Sequence, residues 1–394
     1  MAKKENLEII EFCDNFFPQI DGVVRVVDNC AKHLNQMGSC EVVVPQYKDE
    51  SKTIDSKLSY KVSRKKTKII TLNKFLIPLP KKDKELTKRI MNSNADIFHV
   101  HSPFFIGHYA LKLARKKDIP IVATFHSQFK EDVMAQTHSK LITKFVVNYI
   151  IRFFNKCDEV WAPSKKTAET LHSYGYKKDV FVMENGTNFK YPENTEELKE
   201  NAIKTFNISD NSKNLLYVGQ LRYVKNLKLV LKVVKELVSI DPTYNMYFIG
   251  EGLDEQDMRS FVKKNNLENN VHFLGKISDV SLLSGVYAAS DLFFFPSTYD
   301  NASIAVREAC IMKTPCLLTL NSSVAEPFID GKNGYLAKDT INEMKDKIID
   351  IFKDKEQMKE IGECASKTIP ISFEVMAKNT YQQYEVIINR YNKK

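Results

Sequence analysis

Residues 291–309 read DLFFFPSTYDNASIAVREA and contain the pattern that decides the fold. An aromatic-rich apolar run of strand length is followed by polar turn residues, and Ala302 to Ala305 then open a helix. A buried strand that leads through a short turn into a helix is typical of α/β proteins with parallel sheets. The segment therefore predicts one strand-and-helix unit of such a sheet.

The same alternation extends over the rest of the chain. In the first half the strand-like runs are LEIIEF (7–12), EVVVP (41–45), DIFHV (96–100), IPIVAT (119–124), DEVWA (158–162) and DVFVM (179–183). After a polar stretch that ends near Lys213, the further runs are NLLYV (214–218), NMYFI (245–249), NVHFL (270–274) and PCLLT (315–319). Strands that alternate with helices imply right-handed crossovers. We therefore expect two doubly wound domains, residues 1–190 and 207–372, with a helix over 373–394 that packs back on the first.

Composition agrees with two globular domains. The chain has 394 residues, 43% of them hydrophobic and 27% charged, and is too long for one typical core. Its first apolar run has the length of a strand, and no run approaches the roughly 18 apolar residues of a membrane span. The seven cysteines form no CxxC pair, which is typical of reduced thiols. We expect a cytoplasmic protein without a signal peptide.

Positive charge is concentrated in two places. Residues 48–92 carry 14 Lys and Arg against five Asp and Glu, while the net charge of the whole chain is +9. In residues 138–156, a basic or polar side chain recurs every four residues beside the apolar side chains Leu141, Phe145, Tyr149 and Phe153. Such a helix can lie on an anionic membrane, or its apolar face can pack on the N-terminal sheet. Peripheral binding to the inner face of the plasma membrane therefore stays open, as does a solvated lysine-rich surface. We expect no nucleic-acid partner.

Common phosphate and metal motifs are missing from the sequence. It has no G-x-G-x-x-G and no G-x-x-x-x-G-K-[ST], so neither a dinucleotide fingerprint nor a P-loop is supported. It also has no D-x-D triplet that could hold a divalent ion against a diphosphate. We expect no metal and no resident cofactor. A ligand would bind at the carboxyl ends of the parallel strands, where helix N-termini favour phosphate.

Asp300 and Glu308 are eight residues apart, and this spacing resembles the E-x7-E motif of glycosyltransferase family 4, the retaining enzymes of the GT-B fold. Other segments that resemble the family follow in its order: FFPQIDGVVRVV (16–27), DIFHVHSPF (96–104), IVATFHSQF (121–129), APSKKTAETL (162–171), ENGTN (184–188), VGQLRYVKNL (218–227), IGEG (249–252) and FLGKI (273–277). The resemblance covers nearly the whole chain. It implies two facing Rossmann-like domains with a cleft between them, the first on the acceptor side and the second binding a nucleotide-sugar.

The resemblance also implies roles around the motif. Glu308 would accept hydrogen bonds from ribose hydroxyls, and Asp300 would hold a hydroxyl of the donor sugar. The N–H groups of Ser303, Ile304 and Ala305 would cradle the diphosphate and the sugar, because a helix N-terminus favours anions. In isolation, two carboxylates that flank a helix start would be interpreted as ordinary caps.

A second cluster of expected donor-binding residues lies in VGQLRYVKN (218–226). Lys225 would neutralise the charge that develops on the leaving nucleoside diphosphate, a task otherwise performed by a metal. The family usually has Gly-Arg at this strand end, whereas here Gly219 is followed by Gln220; Arg222 could replace the missing cation. The base and sugar would be discriminated by the pocket near Gly275 to Ile277, and Ile277 is the expected contact.

The remaining expected site residues lie in the first half. By resemblance, His126 follows its strand and lies against the donor sugar, where its ring or carbonyl can polarise the reaction centre, and His101 lines the acceptor side. Gly22 would let the backbone approach the diphosphate without a Cβ. Asp21 replaces the first glycine of the family's loop and could bind an acceptor hydroxyl. No residue is a convincing nucleophile, which favours front-face attack over a covalent intermediate.

Together these expectations predict a retaining glycosyltransferase that moves a sugar from a nucleotide-diphosphate sugar to a lipid or lipid-linked glycan. A UDP-sugar is the favoured donor. The segments HVHSPF (99–104) and TFHSQFKED (124–132) also resemble bacterial diacylglycerol and surface-polysaccharide glycosyltransferases. Two alternatives stay open. One is a nucleotide-sugar epimerase or phosphorylase of the same fold. The other is a non-catalytic homologue that serves as a scaffold for a partner transferase, given the departures at Asp21, Gln220 and Asp300.

Overall fold

The computed structural model describes residues 6–47, 51–72, 75–126 and 128–393, without the side chains of residues 51, 52 and 69–80. The contacts divide the chain into two compact units, one of Met1–Gly186 with Ile371–Lys394 and one of Thr187–Pro370. Each is an α/β unit with its own parallel sheet. The prediction of two Rossmann-like parallel-sheet units is therefore confirmed.

In the described part of the first unit, a parallel sheet has the strand order β3-β2-β1-β6-β7-β8-β9, and β4 and β5 form an antiparallel hairpin. The strands are β1 (Glu8–Phe12), β2 (Ser39–Pro45), β3 (Lys61–Lys65), β4 (Thr67–Leu72), β5 (Phe75–Pro80), β6 (Ile97–Val100), β7 (Ile121–Thr124), β8 (Glu159–Ala162) and β9 (Phe181–Val182). The helices are α1 (Gly22–Met37), α2 (Ser51–Asp55), α3 (Lys84–Met91), α4 (Phe105–Lys117), α5 (Phe129–Thr137), α6 (Lys140–Phe154) and α7 (Lys165–Ser173).

The second unit has a parallel sheet in the order β12-β11-β10-β13-β14-β15. Its strands are β10 (Lys213–Val218), β11 (Tyr244–Ile249), β12 (Val271–Gly275), β13 (Leu292–Phe295), β14 (Cys316–Thr319) and β15 (Tyr335–Ala337). Its helices are α8 (Thr195–Phe206), α9 (Leu227–Ile240), α10 (Glu255–Lys264), α11 (Val280–Ala288), α12 (Ile304–Ile311), α13 (Ile341–Ile351) and α14 (Lys355–Thr368). A 3₁₀ turn spans Tyr223–Lys225.

The last helix, α15 (Phe373–Tyr391), belongs to the first unit. The backbone N–H of Leu7 donates a hydrogen bond of 2.9 Å to the Tyr381 hydroxyl. The Tyr384 ring stacks on Trp161 of β8, with 5.5 Å between the ring centroids. Together with α1, this helix covers one face of the first sheet.

Alternation along the strands decides which side chains meet on each face. In β1, Ile10 and Phe12 enter the core under α4 and α6, whereas Ile9 faces α1 and α15. Successive side chains of a strand point to opposite faces, so Glu11 shares the α1 and α15 face. The sheet is thus apolar on both sides, as expected for a parallel sheet covered by helices.

Each sheet has one position at which the strand order reverses. In the first unit this switch point lies between β1 and β6, and in the second between β10 and β13. Loops leave neighbouring strands in opposite directions there, which opens a crevice at the carboxyl edge of the sheet. Among the described residues, no helix combines the length and the apolar character that a membrane span requires.

Candidate functional site

The switch point of the second unit brings a lysine and an aspartate together. After β10 the chain passes through Gly219 and the 3₁₀ turn that ends at Lys225. After β13 it turns back at Ser297 and reaches Asp300. Lys225 Nζ and Asp300 Oδ1 are 2.5 Å apart, and their side chains are only 12% and 17% exposed. Ser297 Oγ donates a 2.6 Å hydrogen bond to the other oxygen, Oδ2.

The helix α12 starts next to this ion pair in sequence. Ser303 is its N-cap residue, and the Ser303 side chain makes no capping hydrogen bond to the first turn, which contains Ile304 and Ala305. The first amides of a helix have no intrahelical acceptor and lie at the positive end of the helix dipole. This first turn can therefore receive an anion, as the sequence predicted.

Glu308 lies further along α12 and is 7% exposed. The Tyr287 hydroxyl, from α11, lies 3.0 Å from Glu308 Oε2 and 3.2 Å from the Ala305 carbonyl oxygen. This tyrosine fixes the carboxylate from one side. Tyr287 could not be predicted as a site residue, because it lies in a helix that carries none of the motifs.

The turn after β10 depends on a glycine. Gly219 has a φ of +156°, and a Cβ there would lie 2.9 Å from the Tyr217 hydroxyl, which donates to the Gln220 carbonyl at 3.1 Å. A side chain at Gly219 would therefore be strained. Gln220 is exposed, whereas Arg222 is half-buried. Ile277, after β12, is half-buried and packs against the core of the second unit.

The loop after β1 contains the expected residues Asp21 and Gly22. Asp21 is the N-cap of α1: its Oδ1 accepts from the N–H of Val24 at 2.8 Å, and its Oδ2 accepts from Asn15 Nδ2 at 2.6 Å. Both oxygens of Asp21 therefore already accept hydrogen bonds within the first unit. From the sequence we expected this carboxylate to bind a hydroxyl of the acceptor substrate. A Cβ on Gly22 would meet nothing within 4 Å, so the space around this glycine is open.

His99 of β6 and two histidines that follow β6 and β7, His101 and His126, form a cluster at the carboxyl end of these strands. His101 Nδ1 lies 3.0 Å from His126 Nε2, and the two rings stack. His99 Nδ1 lies 2.5 Å from the Tyr384 hydroxyl, and its Nε2 lies 2.7 Å from Thr124 Oγ1. Burial holds the pKa of His99 and of His126 well below the usual range, and the neighbouring His101 acts on both in the same direction. Both are therefore neutral at physiological pH.

Sequence reasoning placed His101 on the acceptor side, and it did not identify its neighbour Glu11. His101 is 4% exposed, and its Nε2 lies 3.7 Å from Glu11 Oε1. The signal that could have found Glu11 is a carboxylate flanked by two apolar residues, Ile10 and Phe12, inside the run LEIIEF (7–12). Ligand-type atoms of Glu11, His99 and His101 lie within 4.8 Å of one another. Both nitrogens of His99 are already hydrogen-bonded, so only two of the three residues, Glu11 and His101, still offer an open ligand atom.

Comparison with protein families matches most of the chain to two models. Residues 20–191 match the model described as Glycosyltransferase Family 4, and residues 199–368 match Glycosyl transferases group 1. Residues 192–198 separate the two matches, which together contain all of the expected site residues.

Curated relatives and solved structures extend this result. The alpha-monoglucosyldiacylglycerol synthase of Acholeplasma laidlawii is 24% identical over 405 residues, which cover 97% of this chain and 98% of the relative. The enzyme of the same name from Streptococcus pneumoniae is 23% identical over 310 residues, covering 78% and 69%. The structure of Anabaena HepE in complex with UDP superposes with a TM-score of 0.78 at 15% identity, covering 96% of this chain and 100% of that one. This likeness shows that the chain has the GT-B fold.

Proposed function

Because this chain belongs to glycosyltransferase family 4 and is an enzyme that acts on sugar donors, we propose that it transfers a glycosyl group from a UDP-sugar, with retention, to a lipid acceptor. The observation that carries the proposal is the ion pair between Lys225 and Asp300 at the switch point of the second unit. A cation and a sugar-binding carboxylate are thereby held where an open α/β sheet binds its ligands.

For the donor, the proposal uses three groups of the second unit. Lys225 takes the charge of the leaving diphosphate, the first turn of α12 binds phosphate oxygens, and Glu308 accepts from the ribose. A fixed cation and oriented amides stabilise developing charge without reorganisation at the moment of reaction. This set performs the task of a divalent metal, so the proposed reaction is metal-independent. UDP is chosen because Anabaena HepE has been crystallised with UDP and with UDP-glucose.

Retention follows from the family resemblance. In a front-face reaction the acceptor hydroxyl attacks the anomeric carbon from the side that the diphosphate leaves, and an oxygen of the diphosphate takes the hydroxyl proton. The new glycosidic bond replaces the bond to the phosphate, and no protein nucleophile is consumed. His126 is neutral and can polarise the sugar without adding a charge.

The lipid acceptor is supported by α6. Its inner side chains, such as Val147, Ile150 and Phe153, lie in the core, but Leu141 is 82% exposed and Phe145 72% exposed. These apolar side chains share the outer face with the exposed basic residues Lys140, Lys144 and Arg152, and exposed Lys156 lies just beyond the end of the helix. Apolar side chains flanked by cations are typical of helices that lie on anionic membranes. The relatives named above synthesise a glucosyl diacylglycerol, as their name states.

The basic stretch 48–92 gives weaker support than α6. Several of its cations are paired within the first unit: Arg64 with Asp55, Lys66 with Glu85, and Lys61 and Arg89 with Glu41. Lys65 is buried and donates to the Lys81 carbonyl. We therefore propose the outer face of α6 as the membrane-binding surface.

Two measurements test the proposed function. A panel of nucleoside diphosphates in a thermal-shift assay should show stabilisation by UDP, because a ligand of the native state raises the apparent stability. UDP-glucose and diacylglycerol vesicles should then give a glucolipid, and NMR of the product should show the anomeric configuration of the donor. Stabilisation by a different nucleoside diphosphate, and not by UDP, would show that the donor carries that other nucleotide. If the enzyme released UDP but formed no glycosylated acceptor, the proposed transfer reaction would be contradicted.

A further inference from the structure

Glu11 is a fully buried carboxylate at the centre of the first sheet. It lies on β1 directly across from His99 on β6, and its side chain is 0% exposed. Within the described residues neither of its oxygens has a hydrogen-bond partner, and the same is true of His101 Nε2. The Glu11 Oε1 atom and His101 Nε2 are 3.7 Å apart. Two polar groups that lack other partners therefore face each other.

Several neighbours of Glu11 are titratable groups that carry no charge. The titratable groups that interact electrostatically with Glu11 include two thiols and two phenols. They are Cys30 of α1, Cys40 of β2, Tyr384 of α15, and Tyr60, which precedes β3. Burial raises the pKa of each of these thiols and phenols, so all four are neutral. His99 has both nitrogens engaged. An isolated buried carboxylate costs several kcal/mol, so Glu11 requires a proton, either on itself or on His101.

We propose that Glu11 is a positioning residue that shares one proton with His101 and thereby fixes the tautomer of His126. When Glu11 carries the proton, its O–H faces His101 Nε2 across 3.7 Å, and with Nε2 unprotonated the proton of the neutral His101 ring is on Nδ1. When His101 carries it, both ring nitrogens are protonated. In either state His101 Nδ1–H donates to His126 Nε2, 3.0 Å away. The proton of the neutral His126 ring is then on Nδ1.

The consequence for catalysis rests on the proposed function. If His126 contacts the donor sugar, a fixed tautomer gives its ring one constant pattern of donor and acceptor. Without Glu11, His101 can adopt the other tautomer and accept from His126 Nε2–H, and the pattern at His126 is no longer unique. The nucleotide-binding residues lie in the second unit, so nucleotide affinity should be independent of Glu11.

The test is ¹⁵N NMR of the eight histidine side chains in the full chain, with His126→Gln to assign the His126 signals. We expect the Nδ1–H tautomer of His126 in wild type, and a mixture or the Nε2–H tautomer in Glu11→Leu. Replacing a buried charge by an apolar residue is usually tolerated, so this variant should fold. Glu11→Gln, whose amide can donate to His101 Nε2, should restore the Nδ1–H form. An Nε2–H tautomer in wild type, or an unchanged tautomer in Glu11→Leu, would overturn the proposal.

A matched control is Glu41→Gln. Glu41 is a buried carboxylate of the neighbouring strand that pairs with Arg89 away from the histidines, so its loss should change stability but not the His126 tautomer. In transfer assays, Glu11→Leu should lower kcat about tenfold or more and leave UDP affinity unchanged, because a wrong histidine tautomer impairs chemistry rather than binding. If wild type transfers no sugar, the proposed function fails while the NMR result still decides the role of Glu11.

Discussion

Lys225 and Asp300 are 75 positions apart in sequence, yet Lys225 Nζ lies 2.5 Å from Asp300 Oδ1. The pair exists because β10 and β13 are neighbours in the second sheet and end at the same edge. Each side chain is the other's counter-ion in a largely buried position. In the proposed reaction a diphosphate competes with Asp300 for Lys225, which leaves the carboxylate available to a sugar hydroxyl.

Lys225→Ala should reduce kcat by roughly 100- to 1000-fold, the usual cost of removing a group that stabilises developing charge. The loss should appear in kcat more than in KM, because the leaving-group charge develops in the transition state. Steady-state kinetics with the best donor measures it. Lys228→Ala, an exposed lysine three residues away, is the control and should behave as wild type. A Lys225→Ala enzyme within threefold of wild type would remove this residue from the mechanism.

Transfer should proceed at the full rate in EDTA. The physical reason is that Lys225 and the first-turn amides of α12 stabilise the leaving diphosphate, so no divalent ion is required. Initial rates with EDTA, and after re-addition of Mg²⁺ or Mn²⁺, test this point. Complete loss of activity that either metal restores would show that a cation takes part.

Glu308→Gln should weaken UDP binding by about ten- to a hundredfold, since a hydrogen bond to a charged group contributes roughly 1.5 to 3 kcal/mol. Calorimetric titration with UDP gives the affinity directly. Tyr287→Phe removes only the hydroxyl that lies 3.0 Å from Glu308, and it should weaken binding less. Equal UDP affinities for wild type and Glu308→Gln would place the ribose elsewhere.

Binding to anionic vesicles should depend on the outer face of α6. Changing both Leu141 and Phe145 to Ser removes the two most exposed apolar side chains of that helix, and cosedimentation with anionic vesicles at low salt should fall sharply. High salt should release the wild type, because the basic side chains contribute through screened electrostatics. Leu253→Ser, at an apolar position of the second unit that is 59% exposed, serves as the control. If the double variant bound the vesicles as well as wild type does, α6 would not be the membrane-binding surface.

The first unit should lose stability as the pH rises through 6. Burial raises the pKa of Asp14 to about 6, against an ordinary value of 3.8, and its hydrogen bonds from Ser102 and Ile106 only partly offset this. The folded unit therefore binds the proton more tightly than the unfolded chain. The associated stability is complete below pH 3.8 and is lost between there and about pH 6, at most on the order of 3 kcal/mol.

Urea unfolding of wild type and Asp14→Asn between pH 4 and 7 measures this effect. Fluorescence of Trp161, the single tryptophan of the chain, reports on the first unit. The difference in unfolding free energy between the two proteins should change with pH in the direction given above. Parallel pH curves would show that Asp14 is ionised without cost.

Strongly apolar strands were predictable from the sequence, and polar or short ones were not. The runs at β1, β11 and β13 were recognised because each places consecutive buried side chains between helical patterns. The strand β3, KVSRK, was missed because it is a polar edge strand, and β15 because it has only three residues. The helix α8 was missed because its charged and polar residues outnumber its apolar residues, such as Leu198, Ala202 and Ile203.

The candidate site divides in the same way. Local patterns predicted the helix that begins near Ser303 and the glycine at 219, since these depend on neighbouring residues. The contacts of Lys225 with Asp300, Tyr287 with Glu308, and Glu11 with His101 depend on strand order and on which face a side chain takes. A single sequence does not specify these pairings, because they join residues from separate strands and helices.

The position of α15 has a consequence for biosynthesis. Its Tyr381 and Tyr384 complete the first unit, although about 180 residues of the second unit, Thr187–Pro370, are translated in between. Domains generally fold in the order in which they leave the ribosome. Here the second unit can fold while the first still lacks a helix over Leu7, His99 and Trp161. The nascent chain thus exposes part of the first unit's apolar face until residues 373–391 emerge, and this interval is when the protein most needs a chaperone.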